Sequence, residues 1–203
     1  MLSHPLAPVR RGIVLGLAAV ALLAPTASAN AAATPCAGES LSQVFAAWGD
    51  SSWYFLAPDG DFENGAAGWS LRGGAVVAAG NAPFGLGAGG DSHSLSLPAG
   101  ASATSPPFCI RHDTRMVRWV QRGPRGALLA VSVIHVDPSA TSPGRMLDLV
   151  RAGGDWEPSP QTTIPLAGTG ARGNGSTTVA LKFTALTGAW QVDDLYVDPK
   201  CRY

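Results

Sequence analysis

Short apolar segments, each closed by a glycine- or proline-rich turn, run along most of the chain after residue 50. The turns are explicit in the sequence: ENGAAG, NAPFGLGAGGD, RGPRG, DPSATSPG, AGGD and GTGARGNG. Because glycine and proline end helices and mark turns, little of the chain is left for helices of ordinary length. Many short strands with regular turn signals predict an all-β fold, either an antiparallel β-sandwich or a barrel.

Individual strands can be placed from their apolar periodicity. Residues 177–186 give the clearest one, because Val179, Leu181 and Phe183 alternate with other side chains. Residues 127–136 are apolar on both faces, which favours a central strand. Residues 40–48 are the one segment expected to form a short helix. Further strands are predicted at residues 53–57, 69–72, 75–79, 94–98, 108–112, 115–122, 146–151 and 190–197.

The N-terminus has the organisation of a secretory signal peptide. Arg10 and Arg11 form a basic region, residues 12–24 are apolar, and Ala27-Ser28-Ala29 is a small-x-small cleavage site. The apolar run is too short to span a bilayer comfortably, and a retained anchor is the alternative. We therefore predict a secreted protein. Its predicted parts are a signal peptide at 1–29, a lead-in segment at 30–49, one β domain at 50–199 and a tail at 200–203.

Charge and composition limit the classes of partner that the chain is expected to bind. Cleavage after Ala29 would leave 12 basic and 14 acidic residues, a net charge of −2. No basic patch stands out, which argues against nucleic acid as a partner. No long apolar run remains after cleavage, so we expect no membrane association, and we expect a monomer. Arginine outnumbers lysine 12 to 2, which, with the abundant alanine and glycine, indicates GC-rich coding and a bacterial source.

The chain has three cysteines, Cys36, Cys109 and Cys201. Export places them in an oxidising compartment, which predicts one disulfide and one leftover thiol. All three pairings remain open. We favour Cys36–Cys109 because Cys201 lies in the short C-terminal tail. The cysteine spacing fits no zinc site.

Two acidic motifs lie near opposite ends of the predicted domain. PDGDFENG contains Asp61 and Glu63, and WQVDDLYV places Asp193 and Asp194 inside an otherwise apolar strand. Carboxylates within such a strand are costly to bury unless they are paired. We expect PDGDFENG to start the first long strand and to anchor it to the last strand. If these two strands are neighbours, Glu63 and one of these aspartates converge with backbone carbonyls in an oxygen-rich site suited to calcium. Buried, hydrogen-bonded carboxylates without a metal are the alternative.

The motifs DGDFENGAAGW, DSHSLSL and WQVDDLYV, in this order, resemble the galactose-binding-like jelly roll of many carbohydrate-binding modules. The resemblance covers about residues 50–199 and implies a jelly-roll β-sandwich. It also implies that Glu63 and Asp194 are ligands of a structural calcium ion, with carbonyl donors near Asp61 and Ser92. The chain further resembles small secreted bacterial proteins of unknown function that share WGD, PDGDFE, SATSPPFC and WQVDDLYVDP.

The tryptophans are the candidate ligand-binding residues. Sugar-binding modules stack aromatic rings on sugar faces and read hydroxyl groups with polar side chains. The resemblance puts Trp69 and Trp190 in the core pattern of the family. Trp156, in the loop GGDWEPSP, is the best candidate for an exposed ring, followed by Trp119 and Arg118. A packed loop tryptophan is the alternative for Trp156.

These features favour a non-catalytic module that binds an extracellular polysaccharide. The alternative is a structural or surface-interaction domain with no small ligand. The sequence has no Gly-x-Ser-x-Gly elbow, and its histidines are not in metal-ligand spacing. We therefore predict no catalytic residue.

Overall fold

The computed structural model describes residues 40–87, 90–111, 116–136, 143–165 and 176–198. All of them belong to the second of two compact units, residues 32–203, whereas the first unit, residues 1–31, lies outside the described residues. The signal peptide and the domain boundaries therefore stay predictions. Among the described residues, no helix is long and apolar enough to cross a membrane.

Strands make up about half of the described part of the chain, and glycine or proline turns follow many of them, as the sequence predicts. The elements are the 3₁₀ helix Ala46–Trp48, β1 Phe55–Leu56, β2 Ser70–Arg72, β3 Val76–Ala79, β4 His93–Leu97, β5 Ser102–Thr104, β6 Phe108–Arg111, β7 Met116–Arg122, β8 Leu128–His135, β9 Arg145–Arg151, β10 Glu157–Pro158, β11 Thr162–Thr163, β12 Ser176–Ala185 and β13 Trp190–Asp198.

The strands form two sheets in which every described pair is antiparallel. Sheet 1 has the order β10-β7-β13-β4-β3, with β1 also paired to β13 and β11 to β7. Sheet 2 has the order β2-β5-β12-β8-β9, with β6 also paired to β12. After β7 the chain forms β8 and β9 in sheet 2, returns to sheet 1 for β10 and β11, and crosses once more through β12 of sheet 2 to β13 of sheet 1. The predicted all-β, antiparallel jelly-roll sandwich is confirmed.

The core lies between the two sheets and is built from alternate residues of each strand. Val179, Leu181 and Phe183 of β12 are fully buried, as their alternation predicts. Phe183 packs edge-on against Trp119 of sheet 1, with ring centroids 5.3 Å apart. It also stacks with Trp69 at 6.3 Å. The expected core position of Trp69 is therefore confirmed, and Trp190 is buried too.

The outer face of sheet 1 is partly covered by the residues that precede β1. Phe45 is fully buried there. Its ring makes edge contacts with Tyr54 at 5.1 Å and with Tyr196 at 5.8 Å, and the guanidinium of Arg118 lies 4.4 Å from its centroid. The described part of the predicted lead-in segment, residues 40–49, thus packs against the sandwich. Its short helix is a single 3₁₀ turn that ends at Gly49.

The PDGDFENG motif lies in turns between β1 and β2, so the expectation that it starts the first long strand is wrong. The carboxylate of Asp59 accepts the backbone N–H groups of Asn64 and Ala67, which satisfies these donors inside the loop instead of in a ladder. The expected anchoring to the last strand is observed. Leu195 accepts the N–H of Ala57 at 2.9 Å and donates its own N–H to Gly60 at 3.0 Å.

Candidate functional site

An irregularity in β13 places its two aspartates, Asp193 and Asp194, in different surroundings. The register with β7 shifts between Asp193 and Tyr196, and Asp194 has a left-handed backbone, with φ 52°. Asp193 accepts the N–H groups of Ala82 and Asp194. Burial, and then the neighbouring carboxylate of Asp194, raises the pKa of Asp193 to about 8.

Asp194 is a buried carboxylate surrounded by other acids. It is 2% exposed, and its Oδ1 atom has no hydrogen-bond partner. Burial raises its pKa to about 7, with further contributions from Asp91, Asp61 and Glu63. The structure therefore brings all three predicted metal residues, Glu63, Asp61 and Asp194, into one electrostatic neighbourhood. It adds Asp91, the first residue of the DSHSLSL motif, which sequence reasoning missed as a member of this cluster.

Glu63 is held by the start of β4. Its carboxylate accepts the N–H groups of Ser92 and His93, both at 2.7 Å, and also contacts the Ser92 hydroxyl and His93 Nδ1. Burial acts to raise the pKa of Glu63, but the hydrogen bonds from His93 and Ser92 outweigh it and hold the pKa at about 2. Among the described residues, no three His, Cys, Asp or Glu side chains are arranged as a ready metal-ligand group.

The same cluster does not form a hydrolase relay. The Ser92 hydroxyl lies 3.0 Å from His93 Nδ1, and Glu63 lies 2.9 Å from that same nitrogen. A serine–histidine–acid triad needs the hydroxyl on one ring nitrogen and the acid on the other. His93 therefore cannot take a proton from Ser92 while Glu63 orients its second nitrogen.

Trp119 and Arg118, two of the three predicted ligand-binding residues, have structural roles. Trp119 is fully buried against Phe183, so its assignment as an exposed binding residue is wrong. The guanidinium of Arg118 donates to Asp50 at 2.7 Å and to the Ser159 carbonyl at 3.0 Å, and it is 8% exposed. Its hydrogen-bonding groups are thus engaged within the fold.

Trp156 is half-buried beside the open end of the outer face of sheet 1. The guanidinium of Arg122 lies 5.2 Å from its ring centroid, which is a cation–π contact. Arg122 also donates to the side chain of Gln191. In the strand register Arg122 is opposite Gln191, and Gln191 is opposite Ser96, so these three side chains form one row across β7, β13 and β4.

Sequence reasoning missed Arg122 and Gln191 as parts of this row. The sequence signal for Arg122 is that Arg118, Val120 and Arg122 occur at every second position, which puts all three on one face of the strand. Gln191 carried no comparable signal. Two other tryptophans are exposed: Trp53 is 49% exposed, and Trp48 is 40% exposed beside Phe84.

A groove of about 470 Å³ opens between the edges of the two sheets. It lies between β9 of sheet 2 and β10 of sheet 1, with β7 behind it. Its lining is mixed: apolar surface comes from Leu149, Val150, Pro158 and Pro160, and polar groups come from Arg118, Gln121, Asp148, Arg151, Glu157 and Ser159.

Cys109 is disulfide-bonded. Cys36 and Cys201 both lie outside the described residues. The pairing of Cys109 with Cys36 therefore stays a prediction.

No protein-family model matches this sequence, and the comparison with curated proteins gives no match. Among solved structures, the chain is similar to a family 61 carbohydrate-binding module in complex with β-1,4-galactotriose. That alignment has 20% identity and a TM-score of 0.45, and it covers 70% of this chain and 96% of the other. A family 22 xylan-binding domain from Paenibacillus barcinonensis aligns with 18% identity and a TM-score of 0.44, covering 68% and 90%.

An enzyme is also similar over part of its length. An arabinose-bound α-L-arabinofuranosidase aligns with 13% identity and a TM-score of 0.47, over 73% of this chain and 27% of the enzyme chain. These three neighbours are thus two carbohydrate-binding modules and part of one larger enzyme. With TM-scores below 0.5 and identities of 20% or less, these similarities carry no inference about a ligand or a site.

Proposed function

We propose that this chain is an exported, non-catalytic module that binds an extracellular glycan at the open end of the outer face of sheet 1. The observation that carries the proposal is the Trp156 ring beside the polar row of Arg122, Gln191 and Ser96. An aromatic ring next to amide, guanidinium and hydroxyl groups is the combination that recognises sugars. The leader sequence and the resemblance of the motifs to carbohydrate-binding modules support the same function.

The row suits a stretch of glycan more than a single small molecule. Neighbouring strands lie about 4.8 Å apart, so the three side chains span about 10 Å across the sheet. Trp156 stands at the Arg122 end of this span. A chain lying across the strands could therefore place one sugar against the ring and direct the hydroxyl groups of the next toward Gln191 and Ser96.

The test is a glycan array with the secreted form, residues 30–203, followed by titration calorimetry with the best binder. Trp156→Ala should weaken that binding at least tenfold, because the ring supplies both the apolar contact and the support of Arg122. Trp53→Ala is the matched control, since Trp53 is 49% exposed and has no described contact with this row.

Two outcomes would count against this proposal. A loss with Trp53→Ala but not with Trp156→Ala would overturn the assignment of the surface. Binding to no glycan would overturn the proposed function and leave a structural or surface-interaction domain as the better reading.

We further propose that Asp194 and Glu63, with Asp61 and Asp91 nearby, hold a structural calcium ion. The support is the buried Asp194 Oδ1 atom without a partner and the four carboxylates that repel one another around it. Calcium takes six to eight oxygen ligands and neutralises such a cluster. Since no ready group of three ligand side chains exists among the described residues, backbone carbonyls and a shift of the Glu63 carboxylate are part of this proposal.

Thermal melting with calcium and with a chelator tests the calcium proposal. Calcium at a hundredfold excess over its dissociation constant should increase the free energy of unfolding by about 2.7 kcal/mol. For a domain of this size, that raises the melting temperature by about 5–10 °C. Asp194→Asn should abolish the rise, and the exposed Asp155→Asn should retain it. No rise in the unaltered protein, or an equal rise in Asp194→Asn, would refute the site.

A further inference from the structure

The groove between the sheet edges differs from the outer-face row in position and in chemistry. Its back wall comes from β7, where both Gln121 and Arg118 line it, whereas Arg122 and Trp156 of the outer-face row are not part of its lining. Its volume of about 470 Å³ falls within the 300–1,000 Å³ that ligand pockets occupy. No aromatic ring lines it, so recognition there would depend on hydrogen bonds.

Gln121 is the feature that points to a ligand. It is 2% exposed, and its Oε1 atom accepts the indole N–H of Trp119 at 2.7 Å. This bond fixes the carboxamide with Oε1 toward the core. The Nε2 group then has no protein partner among the described residues, although Gln121 lines the groove. The Nε2 group is not among the buried unpaired atoms of the described residues, so it reaches the accessible surface of the groove and is available to donate to a bound molecule or to water.

The other polar groups of the groove complement Gln121. Glu157 uses Oε1 to accept the N–H of Gly153, and Asp148 uses Oδ2 to accept the hydroxyl of Thr162. Both carboxylates have further lone pairs available, so the groove offers acceptors next to the donors of Gln121 and Arg151. A mixed set of this kind suits hydroxyl groups, since each hydroxyl donates one hydrogen bond and accepts others.

The charges of the described lining residues disfavour an anionic ligand. Arg118 is already neutralised by Asp50, with 2.7 Å between the charged atoms. Two carboxylates, Asp148 and Glu157, then face one guanidinium, Arg151, which leaves an excess of one negative charge. An anion would meet net repulsion here, whereas a neutral ligand would not.

We propose that this groove is a second ligand site, which binds a small, neutral, polyhydroxylated molecule such as a single sugar residue. Gln121 donates to the ligand, and Glu157 and Asp148 accept from its hydroxyl groups. The proposal does not depend on the outer-face row, because the two sites share none of these three side chains.

The Trp119–Gln121 pair provides a direct reporter. In an ¹⁵N-labelled protein, titration with galactose or xylose should shift the side-chain amide signals of Gln121 and the indole N–H signal of Trp119 along one saturable curve. Trp119 is fully buried, so contact at the outer surface does not reach its indole. Glucuronate should bind at least tenfold more weakly than the neutral sugars, because of its charge.

Variants separate this site from the outer-face site. Glu157→Gln should weaken the sugar affinity measured from the Gln121 and Trp119 signals at least tenfold. Asp155 is an exposed acid of the same loop outside the groove lining, so Asp155→Asn should leave that affinity unchanged. Trp156→Ala should also leave it unchanged, although it should abolish glycan binding at the row.

Two results would overturn the groove site. The first is no shift of the Gln121 and Trp119 signals at about 50 mM sugar. We do not count binding with a dissociation constant weaker than about this concentration as a site. The second is a shift that Glu157→Gln leaves intact or that Trp156→Ala removes. Shifts confined to Trp156, Arg122 and Gln191 would support the outer-face site alone and refute the second site.

Discussion

The contact between Asp50 and Arg118 joins the segment before β1 to sheet 1, and Asp50→Asn tests its contribution. Burial acts to raise the pKa of Asp50, but hydrogen bonds from Tyr54, Arg118 and Ser52 outweigh it and lower the pKa from 3.8 to about 2. The side chain is only 9% exposed, so screening by solvent is limited. A shift of about two pKa units corresponds to about 2.5 kcal/mol of folding free energy at neutral pH.

The substitution keeps the shape of Asp50 and removes its charge. Arg118, which is 8% exposed, would retain only the Ser159 carbonyl and the Phe45 ring. We expect the free energy of unfolding at pH 7, from urea denaturation followed by tryptophan fluorescence, to fall by about 2.5 kcal/mol. The exposed Asp155→Asn should change it by less than about 0.5 kcal/mol.

The pH dependence identifies the charge as the cause. Since the folded-state pKa of Asp50 lies below the unfolded value of 3.8, its stabilisation is fully present above that value and is lost as the pH falls through about 2. The difference between the unaltered protein and Asp50→Asn should therefore shrink between pH 5 and pH 2. A difference below about 0.5 kcal/mol at pH 7, or one that does not change with pH, would refute the reasoning.

Three further substitutions test the PDGDFENG loop. Gly60→Ala would place a Cβ atom 2.8 Å from the Leu195 carbonyl oxygen, so the loop must move from β13, and we expect a loss of about 2 kcal/mol by urea denaturation. Gly65→Ala meets open space at φ +74° and should cost only about 1 kcal/mol of backbone strain; equal losses would contradict the anchoring. Glu63→Ala, measured with chelator, removes the acceptor for the Ser92 and His93 N–H groups and should cost about 1 kcal/mol. It should leave glycan affinity within twofold, and a loss of binding without a loss of stability would count against a structural role.

The strands could be predicted because their signals are local. Each predicted strand of four or more residues is observed within about two residues of its predicted ends, since apolar periodicity and turn residues lie side by side in the sequence. The strand β5 and the short strands β10 and β11 were missed. They contain two or three residues each, which is too short for a periodic pattern, and long-range pairing with β7 or β12 creates them.

The acidic cluster could be predicted only in part. A carboxylate pair in an apolar strand marks Asp194 as unusual, because burying it is expensive. The partner Asp91 lies in a loop whose position depends on the pairing of β4 with β13. Glu63 was expected at a strand start beside β13, but it contacts Ser92 and His93 instead, because the left-handed Phe62, with φ 60°, keeps its segment in a turn.

The strand β7 explains why the binding residues were harder to identify than the fold. Its apolar and polar side chains occur on both faces, so alternation could not show which face meets the core. In the structure one face packs on sheet 2, which buries Trp119, and the other lies under Phe45, which engages Arg118. Its last two residues reach different surfaces, because successive side chains of a strand point to opposite faces. Gln121 therefore reaches the groove while Arg122 reaches Trp156, and one strand end can serve two separate sites.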